Sequence, residues 1–156
     1  MPVILRKLTI RGGCGLDSKC KLDGRGVHKL FVVGASDRVR GSLRVEMLHL
    51  TNAYTYDKFS MDVRGAALQV RANATAEVVQ CIFSHNHAAG NLAAGGALDV
   101  REEGAAYVTD SHFTDNHADK AGGAVVASGV VEVRDGCTFD GNFQGTNFKV
   151  QLVAAL

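Results

Sequence analysis

The sequence predicts an all-β chain wound into a coil of stacked parallel strands, a β-solenoid of about five turns, and three observations carry that prediction. A short phrase returns every 26 to 30 residues, as Phe83-Ser-His-Asn86, Phe113-Thr-Asp-Asn116 and Phe139-Asp-Gly-Asn142. Glycine bends, Gly95-Gly-Ala97 and Gly122-Gly-Ala124, lie between the copies. Ahead of each phenylalanine, apolar residues flank a position that can face solvent, and the phase is kept from copy to copy.

Taken in order, the elements begin with strand candidates of weak register at Leu8-Thr-Ile10 and Leu30-Phe-Val-Val33. A degenerate copy follows at Leu43-Arg-Val45-Glu-Met-Leu48-His-Leu50-Thr-Asn52, where Leu50 takes the place of the phenylalanine and the asparagine comes one residue early. Three better copies each supply two short strands. Leu68-Gln-Val70 precedes Ala76-Glu-Val78, Leu98-Asp-Val100 precedes Ala106-Tyr-Val108, and Val125-Val-Ala127 precedes Val131-Glu-Val133. The segment Phe148-Lys-Val-Gln-Leu-Val-Ala-Ala-Leu156 begins a further turn. Glycine pairs, β-branched residues at alternate positions and the lack of any stripe at i, i+3, i+4, i+7 argue against helical repeats.

Stacking the copies at the strand spacing of about 4.8 Å puts equivalent side chains in columns. Val45, Val78, Val108 and Val133 form one inward column, and Leu50, Phe83, Phe113 and Phe139 another. Leu48, Cys81, Ser111 and Cys137 form a third, in which the two cysteines lie roughly 9 to 10 Å apart, too far for a disulfide, and are expected as buried free thiols. Asn86, Asn116 and Asn142 fall where the chain bends, and a carboxamide there can satisfy backbone groups or its own stacked copy. They are expected to form a structural ladder.

The chain of 156 residues is long enough for one domain, 1–156, with clear repeats over 43–142. Eighteen glycines against one proline, with no tryptophan, suit many tight bends around a core of small and aliphatic side chains. Neither terminus carries an obvious polar cap, so a piece of a longer solenoid, or ends covered by a protein partner, is expected. With 17 basic and 16 acidic residues interspersed, no nucleic-acid surface is indicated. No run approaches the ~20 apolar residues of a membrane-spanning helix, and the N-terminus lacks the order of a secretory signal. Cys14 and Cys20 are close enough in sequence to close a local disulfide, whereas a zinc site there would have only His28 at hand.

The F-x-x-N phrase paired with G-G-A-[LIV] resembles the repeats of chlamydial polymorphic outer membrane proteins and of related right-handed β-helix proteins with a pectin-lyase-like fold. The resemblance covers about residues 43 to 142, with Gly65-Ala-Ala67 as a variant bend, and Leu8-Thr-Ile-Arg-Gly12, Leu22-Asp-Gly24 and Leu30-Phe31 are similar to the opening turns of such domains. It implies a right-handed parallel β-helix acting as a secreted or surface stalk in adhesion, with no catalytic residues to carry over.

Enzymatic chemistry has little to build on in this reading. Hydrolases of this architecture need carboxylates at set separations, and lyases need a base with a cation that neutralises a uronate. Asp110, Asp135, Asp115, Asp119 and Asp140 read as solvated turn formers. His87 and His117 stack one turn apart with His85 or Asp115 nearby, but Phe143 ends the column and a solvent-facing pair is the expectation rather than a metal site. The outward columns Glu77, Tyr107, Glu132 and Val79, Thr109, Arg134 are too mixed for an ice-binding plane. Asn73-Ala-Thr75 fits a glycosylation sequon. The expected function is a non-catalytic scaffold for adhesion or protein–protein interaction, on a cell surface, secreted or within an assembly, without cofactor or metal and with glycans as further partners. A carbohydrate-active domain, lyase or hydrolase, is the alternative.

Overall fold

The computed structural model describes residues 3–14, 19–35, 40–56, 63–145 and 152–154. Among them there is no helix, and every strand pairing is parallel. The first turn holds β1 (Val3–Ile4), β2 (Lys7–Arg11) and β3 (Cys20–Asp23). The second holds β4 (Phe31–Val33), β5 (Ser42–Glu46), β6 (Leu48–Thr51) and β7 (Tyr54–Tyr56). The third holds β8 (Leu68–Val70), β9 (Thr75–Val79), β10 (Ile82–Ser84) and β11 (His87–Ala89). The fourth holds β12 (Leu98–Val100), β13 (Ala105–Thr109), β14 (His112–Thr114) and β15 (His117–Ala118). The fifth holds β16 (Val125–Ala127), β17 (Val130–Val133), β18 (Thr138–Asp140) and β19 (Phe143–Gln144), and β20 (Leu152–Ala154) follows.

These strands build four sheets that run the length of a parallel β-solenoid of about four turns. Sheet 1 is β1-β4-β8-β12-β16-β20, sheet 2 is β2-β5-β9-β13-β17, sheet 3 is β3-β6-β10-β14-β18, and sheet 4 is β7-β11-β15-β19. The four turns from β4 to β19 have a strand on all four sheets, whereas the first has strands on three among the described residues, which accounts for the count of four against the five expected. The alternation in the sequence shows two strands per turn where there are four. In the second to fourth turns the sheet 3 strand follows the sheet 2 strand after only one or two residues, and the sheet 4 strands hold two or three residues, so neither shows as a separate alternation.

Register follows from the columns. Val45, Val78, Val108 and Val133 are successive partners in sheet 2, and Leu50, Phe83, Phe113 and Phe139 in sheet 3. The rings of Phe83 and Phe113 lie 4.7 Å apart at 4°, and those of Phe113 and Phe139 lie 4.8 Å apart at 7°. That separation is the strand spacing, so the backbone ladder dictates the stack. Residues 63, 88, 93 and 118 form a second, smaller apolar cluster beneath sheet 4.

The bends depend on left-handed backbone. Between sheets 2 and 3 the corner residues are Met47, Gln80 and Asp110, and between sheets 3 and 4 they are Asn52, His85 and Asp115, all with φ between 47° and 54°. In the last full turn glycines 136 and 141 take these positions. An extra residue between Val133 and Phe139 is absorbed at the first corner, where Gly136 rather than Asp135 sits left-handed.

One residue beyond the second corner stands the asparagine column. Asn116 Nδ2 donates to the Phe83 carbonyl at 2.9 Å and to Asn142 Oδ1 at 2.9 Å, while its Oδ1 accepts from Asn86 N at 3.1 Å and Asn86 Nδ2 at 2.8 Å. All three side chains are buried. The row starts at Ala53, whose N–H donates to Asn86 Oδ1 at 3.0 Å, and Asn52 is the left-handed corner residue beside it. The early asparagine of the degenerate copy therefore belongs to the corner row and not to the ladder.

Cys81 is buried as expected, but Cys137 is half-buried, because its turn is the outermost strand of sheet 3. Residues 15–18, between the two N-terminal cysteines, lie outside the described residues, as does most of the final segment from Phe148.

Replacing Asn116 with alanine removes four buried hydrogen bonds and leaves the Asn86 N–H without its partner, an expected loss of about 3–5 kcal/mol. Phe113→Ala is expected to cost a similar ~3–5 kcal/mol through the cavity it opens, and Asp135→Ala, on an exposed corner, under ~0.5 kcal/mol. Urea-denaturation midpoints at constant m-value measure all three.

Candidate functional site

In a sheet with one face on the core, alternate residues point outward and normally meet water. Sheet 1 departs from that. Its outward row, Val32, Gln69, Asp99 and Val126, stacks in register, yet Val32, Gln69 and Asp99 are buried. The bends entering β8 and β12 lie against the outward residue of the next turn, Gly65 against Asp99 and Gly95 against Val126. Gly65 holds φ 58°, and an added Cβ would stand 2.5 Å from the Leu68 carbonyl oxygen and 3.0 Å from the Asp99 Cβ, which is why this bend takes glycine.

Two buried polar side chains on adjacent strands must find partners or cost stability. Lys29 Nζ donates to the Arg64 carbonyl at 2.7 Å and to Gln69 Oε1 at 3.2 Å. Gln69 Nε2 donates to Asp99 Oδ2 at 3.2 Å, and Arg101 Nε pairs with the same oxygen at 3.0 Å. The network thus crosses three turns. Asp99 Oδ1 and Arg64 Nε are buried with no hydrogen-bond partner among the described residues.

Alongside this network runs an open groove of about 680 Å³, lined by Arg64, Arg71, Arg101, Glu102, Glu103 and Ser128, with Ala35 and Ala72. Arg71 and Arg101 follow the paired residues Val70 and Val100 and so repeat at the strand spacing. Arg71 Nη1 donates to the Ala35 carbonyl at 3.2 Å. Burial pushes the Asp99 carboxyl up to about 6, against the hydrogen bond from Gln69 and the charges of Arg64, Lys29 and Arg71. Burial likewise lowers Lys29 to about 8, offset by Asp99 and reinforced by Arg71 and Arg101.

The residues singled out from sequence are distributed elsewhere. Phe83, Phe113, Asn86, Asn116 and Asn142 are interior, and Phe139 is half-buried at the outer strand of sheet 3. Cys14 and Cys20 are disulfide-bonded, with Cα atoms 5.2 Å apart. Asn73 occupies a left-handed turn between sheets 1 and 2, where its Nδ2 donates to Glu103 Oε2 at 3.3 Å. His85 pairs with Asp115 at 3.8 Å, while His87 and His117 stack at 4.3 Å beside Asp119. The outward columns of sheet 2 carry the Arg44 ion pairs to Glu46 and Glu77, and Arg134 sits 5.8 Å from the Tyr107 ring centre.

None of Lys29, Arg64, Gln69, Arg71, Asp99 and Arg101 was among the residues singled out. The available signal was the phase of the repeat: Gln69-Val-Arg71 and Asp99-Val-Arg101 carry a polar residue and an arginine at equivalent positions, where the next copy has Val126-Ala-Ser128.

The raised Asp99 pKa has a signed consequence. The folded chain holds this proton up to about pH 6 whereas an ordinary aspartate loses it at 3.8, so the stability linked to Asp99 is full below 3.8 and is lost as pH rises through 6. Asp99→Asn is therefore expected to gain stability relative to the parent chain between those limits, by on the order of 3 kcal/mol. Urea titrations of both proteins across this range measure it, and parallel pH profiles would contradict the assignment.

No family model, curated protein or solved structure matches this chain.

Proposed function

We propose that the chain is a non-catalytic β-solenoid scaffold for adhesion or protein–protein interaction, and that it engages a carboxylate-bearing partner protein in the arginine groove of sheet 1. The observation that carries this reading is the repeated pair Arg71 and Arg101, which line the groove with Arg64 above a buried carboxylate. Guanidinium groups present planar donor forks that match carboxylates two bonds at a time. Buried polar groups beneath hold such a surface in place.

The Cys14–Cys20 disulfide supports an oxidising compartment, hence a secreted or cell-surface setting. The recurring F-x-x-N and G-G-A phrases support the finer assignment to pectin-lyase-like β-helices with repeats of the polymorphic outer-membrane type. Half-buried Leu22, Val131 and Phe139, on strands at the two extremes of their sheets, suit a protein partner or further turns of the same coil. A carbohydrate-active domain is the second reading, favoured by one feature: Asp99 has the raised pKa of a proton donor.

The test uses two defined probes, a glutamate-rich peptide and an oligouronate, titrated calorimetrically into the chain and into an Arg71→Ala/Arg101→Ala variant. Saturable peptide binding, weakened at least roughly tenfold in the variant, is the expected result. Binding of the oligouronate alone would move the ligand to a glycan. Release of unsaturated product, followed by its absorbance and abolished by Asp99→Asn, would replace the scaffold with an enzyme.

A further inference from the structure

On sheet 4 the outward side chains form a single aromatic column. Tyr54 meets His87 edge to face at 5.4 Å, His87 stacks on His117 at 4.3 Å, and His117 stacks on Phe143 at 4.2 Å. Each is the first residue of its strand, and the pairing of β7, β11, β15 and β19 sets them in line. Beneath them Ala88 and Ala118 are buried in the small second core, so the histidines stand on a packed base.

Asp119 directly follows β15, its N–H on the Ala88 carbonyl, and two residues on from His117 it shares the outward face of the imidazoles. Its Oδ2 accepts the Gly90 N–H at 2.8 Å, which orients the carboxylate. Its Oδ1 faces His87 Nε2 at 2.9 Å and His117 Nε2 at 3.6 Å. The three donor atoms lie within 4.8 Å of one another. His117 Nε2 is buried and has no hydrogen-bond partner among the described residues. A sequestered ring nitrogen aimed at a carboxylate that is already oriented by backbone is the arrangement of a ligand held by its surroundings.

We propose that His87, His117 and Asp119 bind one divalent transition-metal ion of the zinc class, clamping the third and fourth turns of the solenoid together. Two imidazole nitrogens and one carboxylate oxygen are a donor set that Zn²⁺ accepts in tetrahedral geometry, with bonds of about 2.0–2.2 Å and a fourth position left to solvent. Donors in such a site stand roughly 3.3–3.5 Å apart, so the present spacings of 2.9 and 3.6 Å to Asp119 Oδ1 adjust to it by small rotations of the two partly buried rings. The neighbours named from sequence, His85 and Asp115, pair with each other at the adjoining corner and take no part. This proposal is independent of the arginine groove, which lies on another sheet.

The experiment is calorimetric titration of ZnCl₂ into the full, tag-free chain after chelator treatment, at about pH 7.5, with thermal unfolding in parallel. One equivalent is expected to bind and to raise the unfolding midpoint by about 3–6 °C. His117→Ala and Asp119→Asn should each weaken binding by roughly tenfold or more, while His85→Ala leaves it unchanged. Circular dichroism of the metal-free variants establishes that they fold, and Asp119→Asn keeps the shape of the side chain it replaces. No binding to the parent chain, or binding that survives both ligand substitutions, would overturn the site.

Discussion

Every other feature of this molecule depends on the parallel backbone ladder that lays each turn on its equivalent in the next. At a spacing of about 4.8 Å, a side chain has no freedom to choose a different neighbour: valine meets valine, phenylalanine meets phenylalanine, and asparagine meets asparagine. Apolar columns benefit from this because like surfaces are removed from water together. Polar columns tolerate it only if the side chain both donates and accepts, and asparagine does. Its carboxamide bonds the copy above, the copy below and a backbone carbonyl from the preceding turn, so a buried polar row becomes part of the core.

The ladder also constrains the corners. A coil with short strands must turn sharply several times per turn, and here it does so by placing single residues in the left-handed region. Glycine does this without steric penalty, whereas Met47 and Gln80 hold the same conformation only because strands on either side fix them. The extra residue in the last full turn shows how local the tolerance is. It is taken up at a corner, by Gly136, and the phenylalanine and asparagine columns resume in register immediately afterwards.

Chemical individuality is found where the columns change character. On sheet 1 the outward row passes from valine through glutamine and aspartate to valine again, and the two polar members collect Lys29 and Arg101 around them. On sheet 4 the outward row passes from tyrosine through two histidines to phenylalanine, and Asp119 closes on the histidines alone. In both places the scaffold supplies identical backbone at each level, and a difference of one or two side chains creates a distinct local environment.

The repeat alone determined the fold class, the inward columns and the asparagine row, because a period in sequence becomes a neighbour in space once the turns stack, and Val78 or Phe113 can be matched to its partners by counting. The four-strand turn was not legible, since strands such as His117–Ala118 are too short to carry a pattern. The groove was hidden for another reason: Lys29, Arg64, Gln69 and Asp99 come from three turns, and nothing in a single alternating strand says that its outward residue will be covered by a glycine bend from the turn beside it. Asp119 likewise read as a turn carboxylate, and only the ladder carried on past β15, with the Asp119 N–H on the Ala88 carbonyl, sets it against His87 of the neighbouring turn as well as His117. Tertiary structure decided these points because they depend on which outward surfaces the loops bury, and loop paths are fixed by packing between turns and not by local periodicity.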